Sequence, residues 1–172
     1  MKKFVMFLAC SLIIGHSVFA QTPVALKIVY INSSVLLASM PEKVNADSAL
    51  AKYARSFQDQ IDIMMKEYQT KGQQYQQNEK TMTDAMKEVK MKEIQDLQNR
   101  IESTQQSAQE KVQQKKQDVY SPVLDKADKA IKAVAKEKGY DYIMDIAAGG
   151  VVVFGKEEYD VTPLVKAKLG IK

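Results

Sequence analysis

The chain has 172 residues, of which 45% are hydrophobic and 27% charged, and its formal net charge is +4. This length suggests one folded domain, with room for an appendage. The only cysteine and the only histidine, Cys10 and His16, lie within the first 20 residues. If the first 20 residues are removed as a leader, the remaining chain has no cysteine and no histidine. This excludes Cys–His and Ser–His catalysis and metal sites with thiolate or imidazole ligands. Chemistry by carboxylates alone stays open, but we expect no enzymatic activity, no metal and no cofactor.

Residues 1–20 have the pattern of a cleaved signal peptide, which predicts export to the periplasm. Lys2 and Lys3 precede an apolar run over 4–14, and Ala20 offers a small residue to the signal peptidase. Cleavage would leave 152 residues with 23 basic and 21 acidic side chains, because only Lys2 and Lys3 are lost. A remaining charge of about +2 is too small to favour a nucleic-acid partner.

Two alternatives for this leader are open. Residues 7–10 resemble a lipoprotein box in which Cys10 would carry a lipid. The apolar run before Cys10 is only six residues long, however, and it continues after the cysteine. The other alternative is an uncleaved anchor, but the run over 4–14 is too short to span a bilayer. We therefore expect cleavage after Ala20.

The chain after the leader begins with a strand and a short helix. Residues 26–32 are apolar and β-branched, which predicts a strand buried on at least one face. Ser33 or Ser34 can cap a helix over 35–40, and Pro41 is expected to end that helix.

Residues 42–138 are typical of long helices, with one glycine, Gly72, and one proline, Pro122. In the first half, apolar residues recur every seven positions, which is a heptad stripe. The stripe consists of Ala54, Ile61, Tyr68, Tyr75 and Met82, with Leu50, Phe57 and Met64 between them. In the second half the spacing is eleven, which is typical of nearly straight helices. This second series consists of Ile101, Val112, Val123 and Val134.

A helical hairpin explains the change of period better than one unbroken coiled coil. Residues 78–84 contain weak helix formers, and Thr81 or Thr83 can cap a returning helix. With a turn centred near Met82, residue n would face residue 164 − n. Each arm helix would then span about 40 residues, or about 60 Å. The second helix would continue past the arm and end at Gly139.

After Gly139 the pattern changes to strand. Residues 140–146 alternate in the manner of a strand, 147–150 predict a turn, and 151–154 predict a second strand that pairs with the first as a hairpin. A short helix over 161–169 would close the chain, with Thr162 and Pro163 at its start.

These elements predict an α+β fold with a small β-rich head and a long antiparallel α-helical hairpin arm. The head would be formed by 21–41 and 123–172, and the arm by 42–122. So small a head buries little apolar surface by itself, and its strand edges favour oligomerisation.

The arm carries a candidate binding surface. Methionine is flexible, and surfaces rich in methionine accept apolar partners of many shapes. The candidate client contacts are Met64, Met65, Tyr68, Tyr75, Met82, Met86 and Met91. The alternative is that these side chains only hold the two arm helices together. It applies best to the residues on the heptad stripe, whereas Met65, Met86 and Met91 lie off it.

Two charged groups are weaker candidates. Lysines outnumber acids near the predicted turn, which predicts contact with anionic lipid head groups. They are Lys80, Lys87, Lys90 and Lys92. Asp141 and Asp145 would lie on one face of a strand, which favours a solvent-facing or interface role over a catalytic pair.

Three segments together resemble the Skp/OmpH family of periplasmic chaperones: LKIVYINSSVLLASMPE, PVLDKA from Pro122 to Ala127, and GYDYIMDIAAGGVVVFGKEEYDVTPLVKAKL. The resemblance covers essentially the whole chain after the leader. It implies a homotrimer whose heads join in a small β-barrel and whose arms surround a cavity. It also implies that unfolded outer-membrane proteins are held there without ATP. Family members can bind lipopolysaccharide on the arms, and no residue here is assigned to that role.

An envelope tether is the alternative function, in which a coiled-coil arm joins the head to a partner without binding clients. A tether favours one continuous apolar seam with paired charges at its edges. Here polar residues interrupt the seam, which favours the chaperone. They are Lys71, Asn78, Lys111 and Lys115.

Overall fold

The structure is a computed structural model that describes residues 25–147, 149 and 152–171. The predicted signal peptide, with Cys10 and its lipidation, lies outside the described residues. In chain order the elements are β1 (Ile28–Ile31), α1 (Ser33–Ala38), α2 (Pro41–Asn78), a 3-10 turn (Glu79–Thr81), α3 (Asp84–Lys138), β2 (Tyr142–Asp145), a second 3-10 turn (Glu157–Tyr159) and α4 (Thr162–Lys168). No helix in this part of the chain is both long and apolar enough to cross a membrane.

Helices α2 and α3, of 38 and 55 residues, form a long antiparallel hairpin. The reversal falls inside the segment 78–84, where the sequence predicts it. Thr83 caps α3, because its hydroxyl accepts a hydrogen bond from the Met86 amide at 3.3 Å. Gly139 ends α3 with the left-handed φ of 64° that glycine tolerates. Pro122 lies exposed inside α3, which continues past it into the base.

The pairing of the two arm helices changes by one helical turn along the arm. Near the tip, Lys71 Nζ lies 3.3 Å from Glu93 Oε2, which is the pair that the predicted register gives. Further down, the Thr104 hydroxyl lies 4.0 Å from the Met64 sulfur, where the same register predicts Arg100. A shift of about four residues is close to one turn, so the same helix faces still meet.

The main core lies at the base of the arm, where both ends of the chain come together. It joins β1, α1, α4, the start of α2 and the last turns of α3. Leu36, Met40 and Val165 are completely buried there, together with Val123 and Val134 of α3. The base is therefore the best-packed part of the chain, and α3 connects it directly to the arm.

The sheet at the base has two parallel strands, with Ile28 beside Tyr142 and Ile31 beside Asp145. The other edge of β1 is also used, because the Val161 amide donates to the Tyr30 carbonyl at 2.9 Å.

The predicted hairpin strand over 151–154 is wrong for the described residues 152–154, which are not in a strand. Val153 and Phe154 are 95% and 83% exposed. Their segment pairs with no strand of the described chain, and β2, its predicted hairpin partner, pairs there with β1. Gly150 and Val151 lie outside the described residues.

Two helix starts also differ from the sequence predictions. Asn32, not Ser33 or Ser34, caps α1, because its side-chain oxygen accepts from the Val35 amide at 3.1 Å. Pro41 begins α2 rather than only ending α1, since the first turn of a helix needs no amide hydrogen there.

Candidate functional site

The interior of the arm contains a small apolar cluster. Met64 of α2 is buried against Leu97 and Ile101 of α3, and Tyr68 packs half-buried against the three of them. The Thr104 hydroxyl also points at the Met64 sulfur. Met64 and Tyr68 therefore pack between the two arm helices. Client contact by either residue stays a prediction.

Several large apolar side chains point outward from the arm. Met65, Met86 and Met91 are exposed, in keeping with their positions off the heptad stripe. Ile63 and Val89 are exposed in the same way, and the sequence reasoning missed them. The sequence pattern that predicts exposure of the methionines also applies to Ile63 and Val89, because each is a large apolar residue of a polar helix and lies off the heptad stripe. Met65 also lines a groove of about 270 Å³ beside Tyr68.

Tyr75 and Met82 occupy the tip of the arm, where the helices separate. Both are half-buried and line a cavity of about 310 Å³ with Ile94 of α3. Lys71, Lys90 and Glu93 also line this cavity. Hydrogen bonds from Lys90 and then Lys71 lower the pKa of Glu93. The tip is thus held by charged side chains rather than by a buried apolar cluster.

Two lysines that interrupt the apolar seam are packed on aromatic rings. Lys111 Nζ lies 5.9 Å from the centre of the Phe57 ring, and Lys115 Nζ lies 5.8 Å from that of Tyr53. The two rings meet edge to face at 5.1 Å. Cation–π contacts therefore replace apolar packing in this part of the arm.

The four lysines near the turn have different surroundings. Lys90 pairs with Glu93 at 3.1 Å, and Lys87 lies 3.9 Å from Asp84. Lys80 and Lys92 are exposed and pair with no acid within the described residues. Contact with anionic lipid stays a prediction, and its best-placed residues are Lys80 and Lys92.

Asp141 and Asp145 accept hydrogen bonds from backbone amides at the base and join the two ends of the chain. Asp141 accepts a hydrogen bond from the Lys27 amide at 2.7 Å, and Asp145 accepts from the amides of Ser33 and Ala147. Burial raises the pKa of Asp145, but its hydrogen bonds from Ser33 and Ala147 outweigh burial and lower the pKa. These bonds give both carboxylates a structural role. Across residues 25–147, 149 and 152–171, no group of histidine, cysteine or acidic side chains is arranged to hold a metal ion.

These features define a class of protein: a small α/β base that carries a long, sparsely packed helical hairpin with apolar side chains on its surface. The model of the family described as "Outer membrane protein (OmpH-like)" matches residues 27–169. The chain therefore belongs to the OmpH-like family, and the resemblance seen in the sequence is confirmed.

Two relatives support this assignment. The chaperone protein Skp of Pectobacterium atrosepticum is 22% identical over 157 residues, which cover 91% of this chain and 94% of that protein. A crystal structure from Caulobacter crescentus, described as an OmpH-like outer membrane chaperone, has the same fold with a TM-score of 0.74. It is 17% identical, and the match covers 86% of this chain and 85% of that one.

Proposed function

We propose that this protein is an ATP-independent periplasmic chaperone that binds unfolded outer-membrane proteins and prevents their aggregation. Membership of the OmpH-like family and the similarity to a protein named as the chaperone Skp support this role. The structural observation that carries the proposal is the exposed apolar surface of the arm. We call this set of individually exposed side chains the arm patch, although they lie on different faces of α2 and α3, and define it by Ile63, Met65, Met86, Val89 and Met91.

The arm patch suits weak and adaptable binding. Its side chains are flexible or aliphatic, and polar and charged residues surround them along α2 and α3. Several weak contacts from tethered arms retain a client by raising the effective concentration, without any strong single contact. Release then needs no nucleotide, because each contact breaks easily.

We further propose that the working form is a homotrimer whose bases join and whose arms surround a cavity. Exposed apolar side chains around the sheet support this, since a second copy could cover them. They are Leu26, Ile28, Tyr142, Val153 and Phe154. A trimer would also supply strand partners for the segment around Val153, which has none in the described single chain.

Light scattering on the purified mature protein tests both proposals. We expect the mass of a trimer, and a complex with one client when an unfolded outer-membrane β-barrel protein is added without nucleotide. A protein that leaves the client to aggregate would contradict the chaperone role and favour an envelope tether. A monomer that still protects the client would contradict only the trimer.

Two matched variants locate the binding surface. The triple variant M65Q/M86Q/M91Q replaces three apolar side chains of the arm patch by polar ones of similar length and helix propensity. We expect it to bind clients roughly a hundredfold more weakly, because burying each methionine contributes about 1 kcal/mol and the three together about 3 kcal/mol. The control M65L/M86L/M91L keeps the surface apolar and should bind normally. Equal binding by the two variants would remove the arm patch from the proposal.

A further inference from the structure

The methionines of this chain differ sharply in exposure. Met65, Met86 and Met91 in the arm patch are 38%, 52% and 58% exposed. Met40 in the base is fully buried, and Met64 inside the arm is 7% exposed. Met82 and Met144 are half-buried. The most exposed methionines of the described chain are thus the ones to which we assign client binding.

This distribution matters because methionine is readily oxidised. A peroxide or a hypohalous acid transfers one oxygen atom to the thioether sulfur, which loses two electrons, and the oxidant is reduced to water or halide. The product, methionine sulfoxide, is polar, and sulfoxide reductases restore the thioether and release the oxygen as water while a dithiol reductant is oxidised to a disulfide. Access of the oxidant to sulfur decides which methionines react first.

We propose that Met65, Met86 and Met91 are reversible oxidation sites, and that their oxidation by a peroxide or hypohalous acid weakens client binding without unfolding the arm. The inference rests on the proposed function above, because it assumes that the arm patch contacts clients. Oxidation would place a polar S=O group on each of three side chains that now offer apolar surface. The result is a loss of apolar surface like the one that glutamine produces in M65Q/M86Q/M91Q.

The arm should keep its fold because none of the three side chains belongs to the buried cluster between α2 and α3. Met64 is the contrasting case. Its sulfur lies against Leu97 and Ile101 and faces the Thr104 hydroxyl at 4.0 Å. Both packing and this contact shield it, so Met64 should be oxidised late and only when the helices separate. Mild oxidation therefore changes the surface, and severe oxidation would damage the arm.

Peptide mass spectrometry after limited treatment of the mature protein with hydrogen peroxide tests the order of reaction. We expect one added oxygen at Met65, Met86 and Met91 well before Met64 and Met40. Circular dichroism at the same stage should show unchanged helix content. Oxidation of Met64 at the same rate as Met65 would overturn the inference.

Client binding is measured after catalase has removed the peroxide, so that the client itself is never oxidised. We expect the oxidised protein to bind about as weakly as M65Q/M86Q/M91Q, whereas peroxide treatment should leave M65L/M86L/M91L at the affinity measured for that variant before treatment. Methionine sulfoxide reductases specific for the two epimers should restore binding to the wild type.

The outcomes separate this inference from the proposed function. If the glutamine variant binds weakly but the oxidised wild type binds normally, the inference that oxidation weakens client binding is wrong. The proposal that the arm patch binds clients is then retained. The inference also fails if treatment weakens the wild type and the leucine variant equally, because other groups then cause the loss. If the glutamine variant itself binds normally, the arm patch is wrong and the inference fails with it.

Discussion

The Tyr120 hydroxyl of α3 donates a hydrogen bond to the Asp47 carboxylate of α2, where the arm joins the base. Lys43 Nζ donates to the other carboxylate oxygen at 2.7 Å. The Lys43 bond first, and the Tyr120 bond second, lower the pKa of Asp47. The bond to Asp47 raises the pKa of Tyr120. One carboxylate therefore links the two helices and gives this end of the arm a dependence on pH.

Replacing Tyr120 by phenylalanine should shift acid unfolding to higher pH. A carboxylate with a lowered pKa in the folded state stabilises the fold above its ordinary pKa of about 4, and this stabilisation is lost as the pH falls through the folded value. Y120F removes one of the two hydrogen bonds that lower the pKa of Asp47. The stabilisation by this carboxylate is therefore lost at a higher pH in the variant than in the wild type. Circular dichroism during acid titration measures the midpoint. Tyr75, whose hydroxyl bonds to nothing in the described chain, supplies the control Y75F. Equal midpoints for Y120F and the wild type would contradict the prediction.

Met64 and Met65 are neighbours with opposite surroundings, so their alanine variants should differ in stability. M64A removes a buried side chain from the cluster with Leu97 and Ile101, and should lower the free energy of unfolding by about 2 kcal/mol or more. M65A truncates an exposed side chain and should change it by about 0.5 kcal/mol or less. Urea unfolding measures both values, and hydrogen exchange should place the M64A effect in the arm. An equal decrease in the free energy of unfolding for M64A and M65A would contradict the burial of Met64.

Glycine-to-alanine substitutions should have opposite effects at Gly155 and Gly72. A Cβ atom at Gly155 would overlap the ring of Tyr30, so G155A should destabilise the base by about 1–3 kcal/mol. A Cβ atom at Gly72 meets nothing within 4 Å inside α2, so G72A should stabilise the arm by about 0.5–1 kcal/mol. Thermal unfolding measures both. A stabilised G155A would show that the segment after Val153 does not lie against Tyr30.

The lysine prediction is tested on vesicles that contain anionic lipid. Replacing Lys80 and Lys92 by glutamine should weaken vesicle binding roughly fivefold for each lysine, because each contributes about 1 kcal/mol near an anionic surface. The control K129Q/K136Q removes two lysines from the base end of α3, where no effect is expected. Sedimentation with vesicles at low salt measures binding. Equal binding by the two double variants would contradict a role for the tip.

Local patterns in the sequence determined most of the arm. Weak helix formers over 78–84 predicted the reversal, and the structure places it there. Thr81 or Thr83 was predicted to cap the start of α3 and Gly139 its end, and Thr83 and Gly139 act as the caps. These predictions succeed because capping and helix propensity depend on residues only a few positions apart. For the same reason, methionines off the apolar stripe could be predicted to be exposed.

Only the tertiary structure decided how distant segments pair. The parallel pairing of β1 with β2, and the exposure of the segment around Val153, follow from no local pattern in the sequence. Lys111 and Lys115 interrupt the seam in sequence, yet they pack on the rings of Phe57 and Tyr53. Likewise, the one-turn shift between arm helices places Thr104 rather than Arg100 beside Met64. Periodicity shows which face of a helix or strand is buried, but the partner of that face is set by contacts between residues far apart in the chain.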